Sequence, residues 1–195
     1  KQEIAGLNVT IPYKEQIIPY LDELDEHAKA IGAVNVIQFK NGKTKGYNSD
    51  YYGFKDSLSN FLPENFKSNA LILGTGGASK AIKQVLKDLS IPFKTVSRKE
   101  KFDFTYEEIN GKFEILADFH LIINTTPLGT YPKVEEKPNL PYKALTENHY
   151  FYDLVYNPSE TAFMKAGKKQ GGKTINGLEM LVGQAEKSWE IWNKK

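Results

Sequence analysis

The sequence predicts an α/β protein in which a parallel sheet with crossover helices is joined to a smaller α/β unit. Two observations favour this class: short, fully apolar segments alternate with helical patterns after residue 63, and a strong hairpin signal precedes them. The length of 195 residues suits one large domain or two small ones, and a 40% hydrophobic share is enough for a core. No apolar run approaches the ~20 residues of a membrane-spanning helix.

Two helices are predicted near the N-terminus. Pro12 suits the first turn of a helix, and apolar residues follow it at helical spacing: Ile17, Ile18 and Leu21. A second, shorter helix is expected over 25–31, where Gly32 can adopt the left-handed conformation that ends a helix.

A β-hairpin is predicted over 33–47. Segments 33–39 and 44–47 have strand character and flank Lys40-Asn41-Gly42-Lys43, in which Asn-Gly is typical of a tight hairpin turn. A helical pattern then starts at Tyr51 and ends at Pro63, after which the polar segment 63–69 marks a boundary.

The rest of the chain alternates between strands and helices. Strands are expected at 70–73, 93–97, 121–124 and 150–155, and a helix at 79–89. Strands that are apolar on both faces are typical of a parallel sheet covered by helices. A long helix over 177–192 follows, with an apolar stripe formed by Leu178, Leu181, Val182, Ala185, Trp189 and Trp192.

A glycine-rich turn follows the strand at 70–73. Its sequence is Gly74-Thr75-Gly76-Gly77-Ala78-Ser79, and it stands in the strand–turn–helix context of a dinucleotide fingerprint. Gly74 permits the tight turn, Gly76 lets the backbone approach a pyrophosphate, and Gly77 and Ala78 keep the helix start small. The turn therefore predicts a Rossmann-type nucleotide domain, with a glycine-rich loop of no function as the alternative.

The end of the next strand indicates which dinucleotide binds. An NAD site usually has an acidic residue there to hold the ribose 2′-hydroxyl, whereas this chain has Ser97-Arg98-Lys99 and an acid only at Glu100. Arg98 is the only arginine among 26 basic residues, and a guanidinium pairs with a phosphate through a planar fork. We therefore expect NADP rather than NAD.

A candidate catalytic pair flanks the hairpin. Lys14 is expected in the first turn of the helix at Pro12, where the positive end of the helix dipole disfavours its charge and suits a general acid or base. Asp50 could orient Lys14, and Thr10 and Asn35 could donate hydrogen bonds to substrate hydroxyls. A solvated lysine and a helix-capping aspartate are the alternative.

Seven segments occur in the order found in the shikimate dehydrogenase family, which the chain resembles. They are Asn8-Val-Thr-Ile-Pro-Tyr-Lys14, Ile31-Gly-Ala-Val-Asn35, Gly46-Tyr-Asn-Ser-Asp50, Gly74-Thr-Gly-Gly-Ala-Ser79, Ile123-Asn-Thr-Thr-Pro-Leu-Gly129, Tyr152-Asp-Leu-Val-Tyr-Asn-Pro158 and Asn176-Gly-Leu-Glu-Met-Leu-Val-Gly-Gln184. The resemblance implies reversible reduction of 3-dehydroshikimate to shikimate with NADPH, a step of aromatic amino acid biosynthesis.

The resemblance also implies a role for each matching position. It makes Lys14 the catalytic lysine and Asp50 its partner, with no metal. The substrate-binding residues it implies are Thr10, Asn35, Tyr156 and Gln184. The cofactor-binding residues it implies are Gly74, Gly76, Gly77, Ala78, Ser97, Arg98, Asn124, Thr126, Val155, Gly177 and Met180.

The same resemblance implies three parts. Residues 1–62 would form the substrate domain, 63–176 the NADP-binding domain, and 177–195 a helix that packs back on the substrate domain. The family's N-terminal strand–helix unit, with the Ser-x-Ser pair that grips the substrate carboxylate, has no counterpart before Lys1, so we expect an incomplete substrate domain. Lys99 stands where the family often has threonine, and Lys101 is a possible substitute for a second arginine.

Two alternatives remain: a quinate/shikimate dehydrogenase that uses NAD, and a non-catalytic dinucleotide-binding domain. The balance of 26 basic and 24 acidic residues favours a small-molecule substrate over a nucleic-acid or membrane partner. The chain has no cysteine, which fits a reducing compartment, and we expect a cytoplasmic monomer or homodimer.

Overall fold

Two sheets organise the chain in the computed structural model, which describes residues 4–193. The four-stranded sheet has the order β1-β3-β4-β2. Its strands are β1 (Gly6–Asn8), β2 (Glu23–Leu24), β3 (Val36–Lys40) and β4 (Lys43–Tyr47). The pairs β1–β3 and β3–β4 are antiparallel, whereas β2 and β4 are parallel.

The predicted hairpin is confirmed as β3 and β4. Lys40 pairs with Lys43, which leaves Asn41 and Gly42 as the turn, with φ angles of 53° and 74°. Positive φ at both central residues matches the right-handed twist of the strands, and Asn-Gly adopts it at low cost. The hairpin thereby returns the chain beside its own start, where the Asn35 backbone N–H donates to the Tyr47 carbonyl at 3.0 Å.

The helix predicted from Pro12 is wrong. Residues 11–17 form turns, and only Ile18–Tyr20 is helical, as a 3₁₀ turn. The apolar residues that suggested a helix instead pack individually on a small cluster beneath the four-stranded sheet. The Val34 N–H donates to the Lys14 carbonyl at 2.8 Å, which holds the segment against the loop before β3. Lys14 therefore does not lie in the first turn of a helix of its own, and the dipole that we predicted to disfavour its charge is not formed there.

The six-stranded sheet is parallel throughout, with the order β10-β9-β8-β5-β6-β7. Its strands are β5 (Ala70–Leu73), β6 (Phe93–Ser97), β7 (Phe104–Thr105), β8 (Leu121–Asn124), β9 (Tyr150–Asp153) and β10 (Lys173–Ile175). Counted from β5, this is the 3-2-1-4-5-6 order of dinucleotide-binding domains, which confirms the Rossmann-type prediction. The order reverses between β5 and β8, and ligands bind at the carboxyl ends of strands at such a point.

Six α-helices accompany the sheets in the described part of the chain. They are α1 (Glu26–Ile31), α2 (Ser49–Phe61), α3 (Gly77–Asp88), α4 (Tyr106–Gly111), α5 (Ala162–Lys168) and α6 (Leu178–Asn193). The predicted α1 is confirmed, with Asp25 capping its start and Gly32 ending it at a φ of 69°. Within residues 4–193, no helix combines the length and apolarity that crossing a membrane requires.

The α2 helix belongs to the apolar core of the parallel sheet. Its buried residues Tyr51, Phe54 and Leu58 pack in one apolar cluster with residues of β5, β8 and α3. The Tyr51 hydroxyl donates to Asp88 Oδ2 at the end of α3 at 2.7 Å, and the Tyr152 hydroxyl of β9 donates to Ser57 Oγ at 2.8 Å. The division near residue 63 stays a prediction, and the core is continuous across it.

The buried face of α6 differs from the predicted apolar stripe. Most of the predicted residues are exposed, among them Trp189 at 67%, while Met180, Ser188 and Ile191 are buried. The contact between α2 and α6 requires a small residue on α2, because a Cβ on Gly53 would overlap the Met180 carbonyl of α6. Of the two tryptophans, Trp192 contacts the four-stranded sheet, where its Nε1 donates to the Ile37 carbonyl at 3.0 Å.

Candidate active site

A cleft of about 420 Å³ lies where the four-stranded sheet, the parallel sheet and α6 meet. It brings together all six residues predicted for catalysis and substrate binding: Thr10, Lys14, Asn35, Asp50, Tyr156 and Gln184. Its other lining residues are Asn8, Val9, Ala78, Leu154, Gly177, Met180 and Leu181. Residues from both ends of the chain therefore border one cavity.

Lys14 and Asp50 form an ion pair in this cleft. Lys14 Nζ donates to Asp50 Oδ2 at 2.7 Å, and the two side chains are 21% and 16% exposed. Asp50 lies in the first turn of α2, where the unsatisfied N–H groups favour a carboxylate. An ammonium group has three donors, so this bond fixes the nitrogen and leaves further N–H groups for a ligand.

Asn35 is held by hydrogen bonds on both sides of its amide. Its Nδ2 donates to Asp50 Oδ1 at 3.0 Å and to Ser49 Oγ at 3.1 Å, and its Oδ1 accepts from the Ser49 N–H at 2.7 Å. An amide nitrogen has two N–H groups, and both are used within the protein. The Asn35 Oδ1 also lies 3.3 Å from Ser49 Oγ, so in this arrangement Asn35 does not offer the free donor that we predicted for a substrate hydroxyl.

Two buried serines connect this network to α6. Ser49 Oγ donates to Gln184 Oε1 at 3.3 Å, and Ser188 Oγ donates to Ser49 Oγ at 3.1 Å. Gln184 Nε2 donates in turn to the Leu181 carbonyl at 3.0 Å. Neither serine was predicted, although Ser49 belongs to the segment 46–50 that contains Asp50.

A second cavity, of about 570 Å³, lies at the carboxyl ends of β5, β6 and β8. Five predicted cofactor residues line it: Gly74, Gly76, Ser97, Arg98 and Thr126. Six others were not predicted: Thr75, Lys99, Tyr106, Thr125, Pro127 and Leu128. Most of these lie within the turn 74–79 or the segment 123–129, whereas nothing in the sequence pattern pointed to Tyr106.

The glycine turn fits a dinucleotide phosphate. Gly74 has a φ of 103°, and a Cβ there would lie 2.8 Å from Thr126 Cγ2, so this position requires glycine. A Cβ on Gly76 or Gly77 would meet nothing within 4 Å, so both project into open space at the start of α3. Free N–H groups at a helix start beside such space are suited to a phosphate.

Arg98 is available to an anion. It is exposed, and its side chain makes no hydrogen bond or ion pair with any residue from 4 to 193. The Lys99 N–H donates to Ser97 Oγ at 3.2 Å, which leaves the Ser97 hydroxyl proton for another acceptor. These groups fit the phosphorylated ribose that we predicted for this strand end.

The remaining predicted cofactor residues divide between the two cavities and the protein interior. Ala78, Gly177 and Met180 line the cleft with Lys14, so the turn 74–79 contributes to both cavities. Gly77, Asn124 and Val155 line neither cavity. Asn124 is buried, and its Oδ1 accepts from Thr126 Oγ1 at 2.6 Å, so it positions a lining residue.

Asp153 lies beneath the site with its carboxyl fully buried. Burial raises the pKa of Asp153 to about 6, against hydrogen bonds from Thr161 Oγ1 at 2.6 Å, the Val155 N–H at 3.0 Å and Asn124 Nδ2 at 2.9 Å. The three donors orient the carboxyl and hold the loop that carries Val155. Their gain does not outweigh the loss of water around the charge.

Asp153→Asn is expected to remove a pH dependence of stability. Between the ordinary pKa of 3.8 and about 6, folded Asp153 holds a proton that the unfolded chain releases, so its contribution to stability falls as pH rises through this window. The free energy of unfolding of Asp153→Asn relative to the wild type should therefore rise by on the order of 2 kcal/mol between about pH 4 and pH 7. Urea denaturation at several pH values measures this free-energy difference, and the exposed Asp56→Asn is the control. A free-energy difference between Asp153→Asn and the wild type that does not change with pH would contradict the prediction.

A dinucleotide-binding sheet beside a polar cleft with a lysine–carboxylate pair defines the class, a nicotinamide-dependent oxidoreductase. The chain is 45% identical over 203 residues to the "Shikimate dehydrogenase (NADP(+))" of Clostridium beijerinckii, covering 98% of this chain and 73% of the relative. The chain belongs to the shikimate dehydrogenase family.

Other comparisons agree with this membership. The family model described as the shikimate dehydrogenase substrate binding domain matches residues 1–37. A chorismate mutase/shikimate 5-dehydrogenase fusion protein from Clostridium acetobutylicum superposes with a TM-score of 0.84 at 40% identity, over 97% of this chain and 70% of that one. The quinate dehydrogenase of Corynebacterium glutamicum in complex with NAD gives 0.87 at 26% identity, over 98% and 73%. Relatives and neighbours of this chain are therefore named with NADP and with NAD.

Proposed function

We propose that this shikimate dehydrogenase reduces 3-dehydroshikimate to shikimate, reversibly, in the cleft around Lys14 and Asp50. One observation supports this site above the others: the 2.7 Å ion pair lies in a cleft that shares the glycine turn with the nucleotide cavity. A substrate beside Lys14 and a nicotinamide beside Gly177 and Met180 would occupy one cavity, as transfer between them requires.

The proton steps follow from the geometry of the pair. NADPH, when bound, supplies the hydride that reduces the ring ketone. Lys14 donates the proton that converts the carbonyl oxygen into a hydroxyl, and takes it back in the oxidation of shikimate. Asp50 holds the ammonium group at 2.7 Å and is itself oriented by Asn35. In this proposal Lys14 is the proton donor and Asp50 is its positioning residue.

The other proposed substrate contacts come from hydroxyls and amides around the cleft. Among residues 4–193, the side-chain hydroxyls of Thr10 and Tyr156 have no hydrogen-bond partner, so both can serve a ligand. Asn35 and Gln184 border the same cleft and are held by Ser49, and Gln184 keeps one Nε2 proton for a ligand. A cleft with donors and acceptors at fixed positions suits a small polyhydroxylated ring.

For the cofactor, we assign each part of the dinucleotide to a separate group of residues. Gly74, Gly76, Gly77 and Ala78 would hold the pyrophosphate at the start of α3, and Ser97 and Arg98 the 2′-phosphate. Asn124 and Thr126 would shape the coenzyme side at the end of β8. Val155, Gly177 and Met180 would line the nicotinamide.

Rates with each pair of substrates test the function. We expect shikimate-dependent NADPH formation, with NADP⁺ preferred to NAD⁺ and shikimate preferred to quinate. Preference for NAD⁺ and quinate would favour the quinate/shikimate dehydrogenase alternative. No turnover with any pair would favour a non-catalytic dinucleotide-binding domain.

Arg98→Gln is expected to lower kcat/KM for NADP⁺ about tenfold to a hundredfold and to leave the value for NAD⁺ unchanged. The physical reason is the loss of a charge-assisted contact that only a 2′-phosphate can make. Lys87→Gln, at the far end of α3 and outside both cavities, is the matched control. An equal decrease in kcat/KM with NADP⁺ and with NAD⁺ would show that Arg98 does not bind the 2′-phosphate.

We also propose a cytoplasmic monomer or homodimer that acts on small molecules without a nucleic-acid or membrane partner. The nearly balanced charge, +2 overall, supports the absence of a polyanionic partner, and the need for NADPH supports the location. Light scattering on the purified protein would measure the mass of the particle; a trimer or larger assembly would contradict the proposal.

A further inference from the structure

The hydroxyl of Tyr106 is buried in the described structure without any hydrogen-bond partner. Tyr106 is the first residue of α4 and lines the nucleotide cavity together with Arg98 and Ser97. A buried donor without an acceptor costs free energy, and natural proteins keep few of them. Its position in the wall of a ligand cavity suggests that the acceptor is the ligand.

Tyrosines in comparable surroundings all have a partner. The Tyr51 hydroxyl donates to Asp88 at 2.7 Å, that of Tyr152 to Ser57 at 2.8 Å, and that of Tyr142 to the Pro138 carbonyl at 2.8 Å. Tyr142 packs in the same apolar cluster as Tyr106, so a lack of acceptors in that cluster does not explain the difference. Among the tyrosines from 4 to 193, only Tyr106 has a buried hydroxyl without a partner; the one other buried unpartnered side-chain atom described is Thr174 Oγ1, away from both cavities.

The charge beside Tyr106 indicates what kind of acceptor is expected. Burial raises the pKa of Tyr106 to about 12, against the influence of the Arg98 charge, so the hydroxyl is a proton donor at neutral pH. Arg98 is likewise a donor and cannot accept a hydrogen bond. A phenol and a guanidinium that meet in one cavity are both satisfied by an anionic oxygen.

We propose that the Tyr106 hydroxyl donates a hydrogen bond to the 2′-phosphate of NADP beside Arg98, as a second determinant of NADP over NAD. The inference rests on the proposed function, which places NADP in this cavity. The pyrophosphate is assigned to the turn 74–77, at the carboxyl end of β5. Tyr106 follows β7 on the far side of β6, next to the strand end that carries Arg98, so the 2′-phosphate is the nearer group.

Calorimetric binding of adenosine 2′,5′-bisphosphate and of adenosine 5′-monophosphate tests the inference without requiring turnover. Tyr106→Phe is expected to weaken binding of the bisphosphate about tenfold and to leave the monophosphate unchanged. Its melting temperature should equal or exceed that of the wild type, because the removed hydroxyl had no partner. Tyr142→Phe is the matched control: it loses a satisfied hydrogen bond, so it should melt earlier and bind both ligands normally.

Each other outcome is decisive. Equal weakening of both ligands would place the hydroxyl on the adenine or the 5′-phosphate and overturn the inference. Unchanged binding of both would make Tyr106 a structural residue and overturn it as well. A wild-type protein that binds the two ligands equally would contradict the NADP assignment itself, which separates failure of the proposed function from failure of this inference.

Discussion

Lys14→Ala should lower kcat for shikimate oxidation by about 100- to 10,000-fold, the range typical of a lost general acid or base. The KM for shikimate should change much less, because Thr10, Asn35, Tyr156 and Gln184 still line the cleft. Asp50 loses its partner but stays at the solvent-accessible start of α2, so the fold is retained. Steady-state kinetics in both directions measure the split between kcat and KM.

The structure offers a matched control for this experiment. Lys80 forms an ion pair with Glu15 at the same distance of 2.7 Å, but it is more exposed and lines neither cavity. Lys80→Ala should leave both constants unchanged. Lys14→Arg keeps the charge but should not restore turnover, because a guanidinium does not release its proton at neutral pH. Equal loss of kcat and affinity in Lys14→Ala, or no loss, would contradict the catalytic role.

The second large effect concerns the glycine turn. Gly74→Ala should both destabilise the protein and abolish measurable cofactor binding. The φ of 103° costs an alanine about 1–3 kcal/mol, and its Cβ would press on Thr126 Cγ2 at 2.8 Å and move the end of β8. Urea denaturation and titration with NADPH measure the two effects separately.

Gly76→Ala separates binding from stability. Gly76 has φ and ψ of −71° and 178°, which alanine adopts freely, and its Cβ would meet nothing within 4 Å. We therefore expect unchanged stability, and cofactor binding weakened by ~10-fold or more as the methyl group fills space needed by the pyrophosphate. Normal NADPH binding in Gly76→Ala would mean that the phosphates lie elsewhere.

Short sequence patterns correctly predicted the elements whose conformation depends on neighbouring residues in the chain. Asn41-Gly42 identified the hairpin because few other pairs adopt positive φ twice, and the apolar run Ala70–Leu73 identified a strand buried on both faces. Pro12 misled, because the apolar residues after it pack on Ala28, Val34 and Ile37 without needing a helix. On α6, the large apolar residues predicted the wrong buried face. The observed face is the one on which the α6 backbone can approach Gly53 of α2 closely.

The candidate site was predicted where residues lie within recognisable segments. The six substrate-cleft residues and three of the nucleotide-cavity residues came from such segments, and Ser97 and Arg98 came from the end of the strand at 93–97. Ser188 could not be found in this way, because its role depends on the placement of α6 against α2. Tyr106 lies outside the segments, and its significance comes from a missing partner, which only the three-dimensional arrangement reveals.

The packing of α2 against the parallel sheet and α3 also limits how this protein can change over evolutionary time. Asp50 lies at one end of α2, while Tyr51, Phe54 and Leu58 are packed against residues of the parallel sheet and α3. A substitution beneath the nucleotide cavity therefore alters the support of the Asp50 carboxylate. The parallel sheet with α3 is therefore not an exchangeable module: a replacement would have to reproduce the surface on which α2 rests.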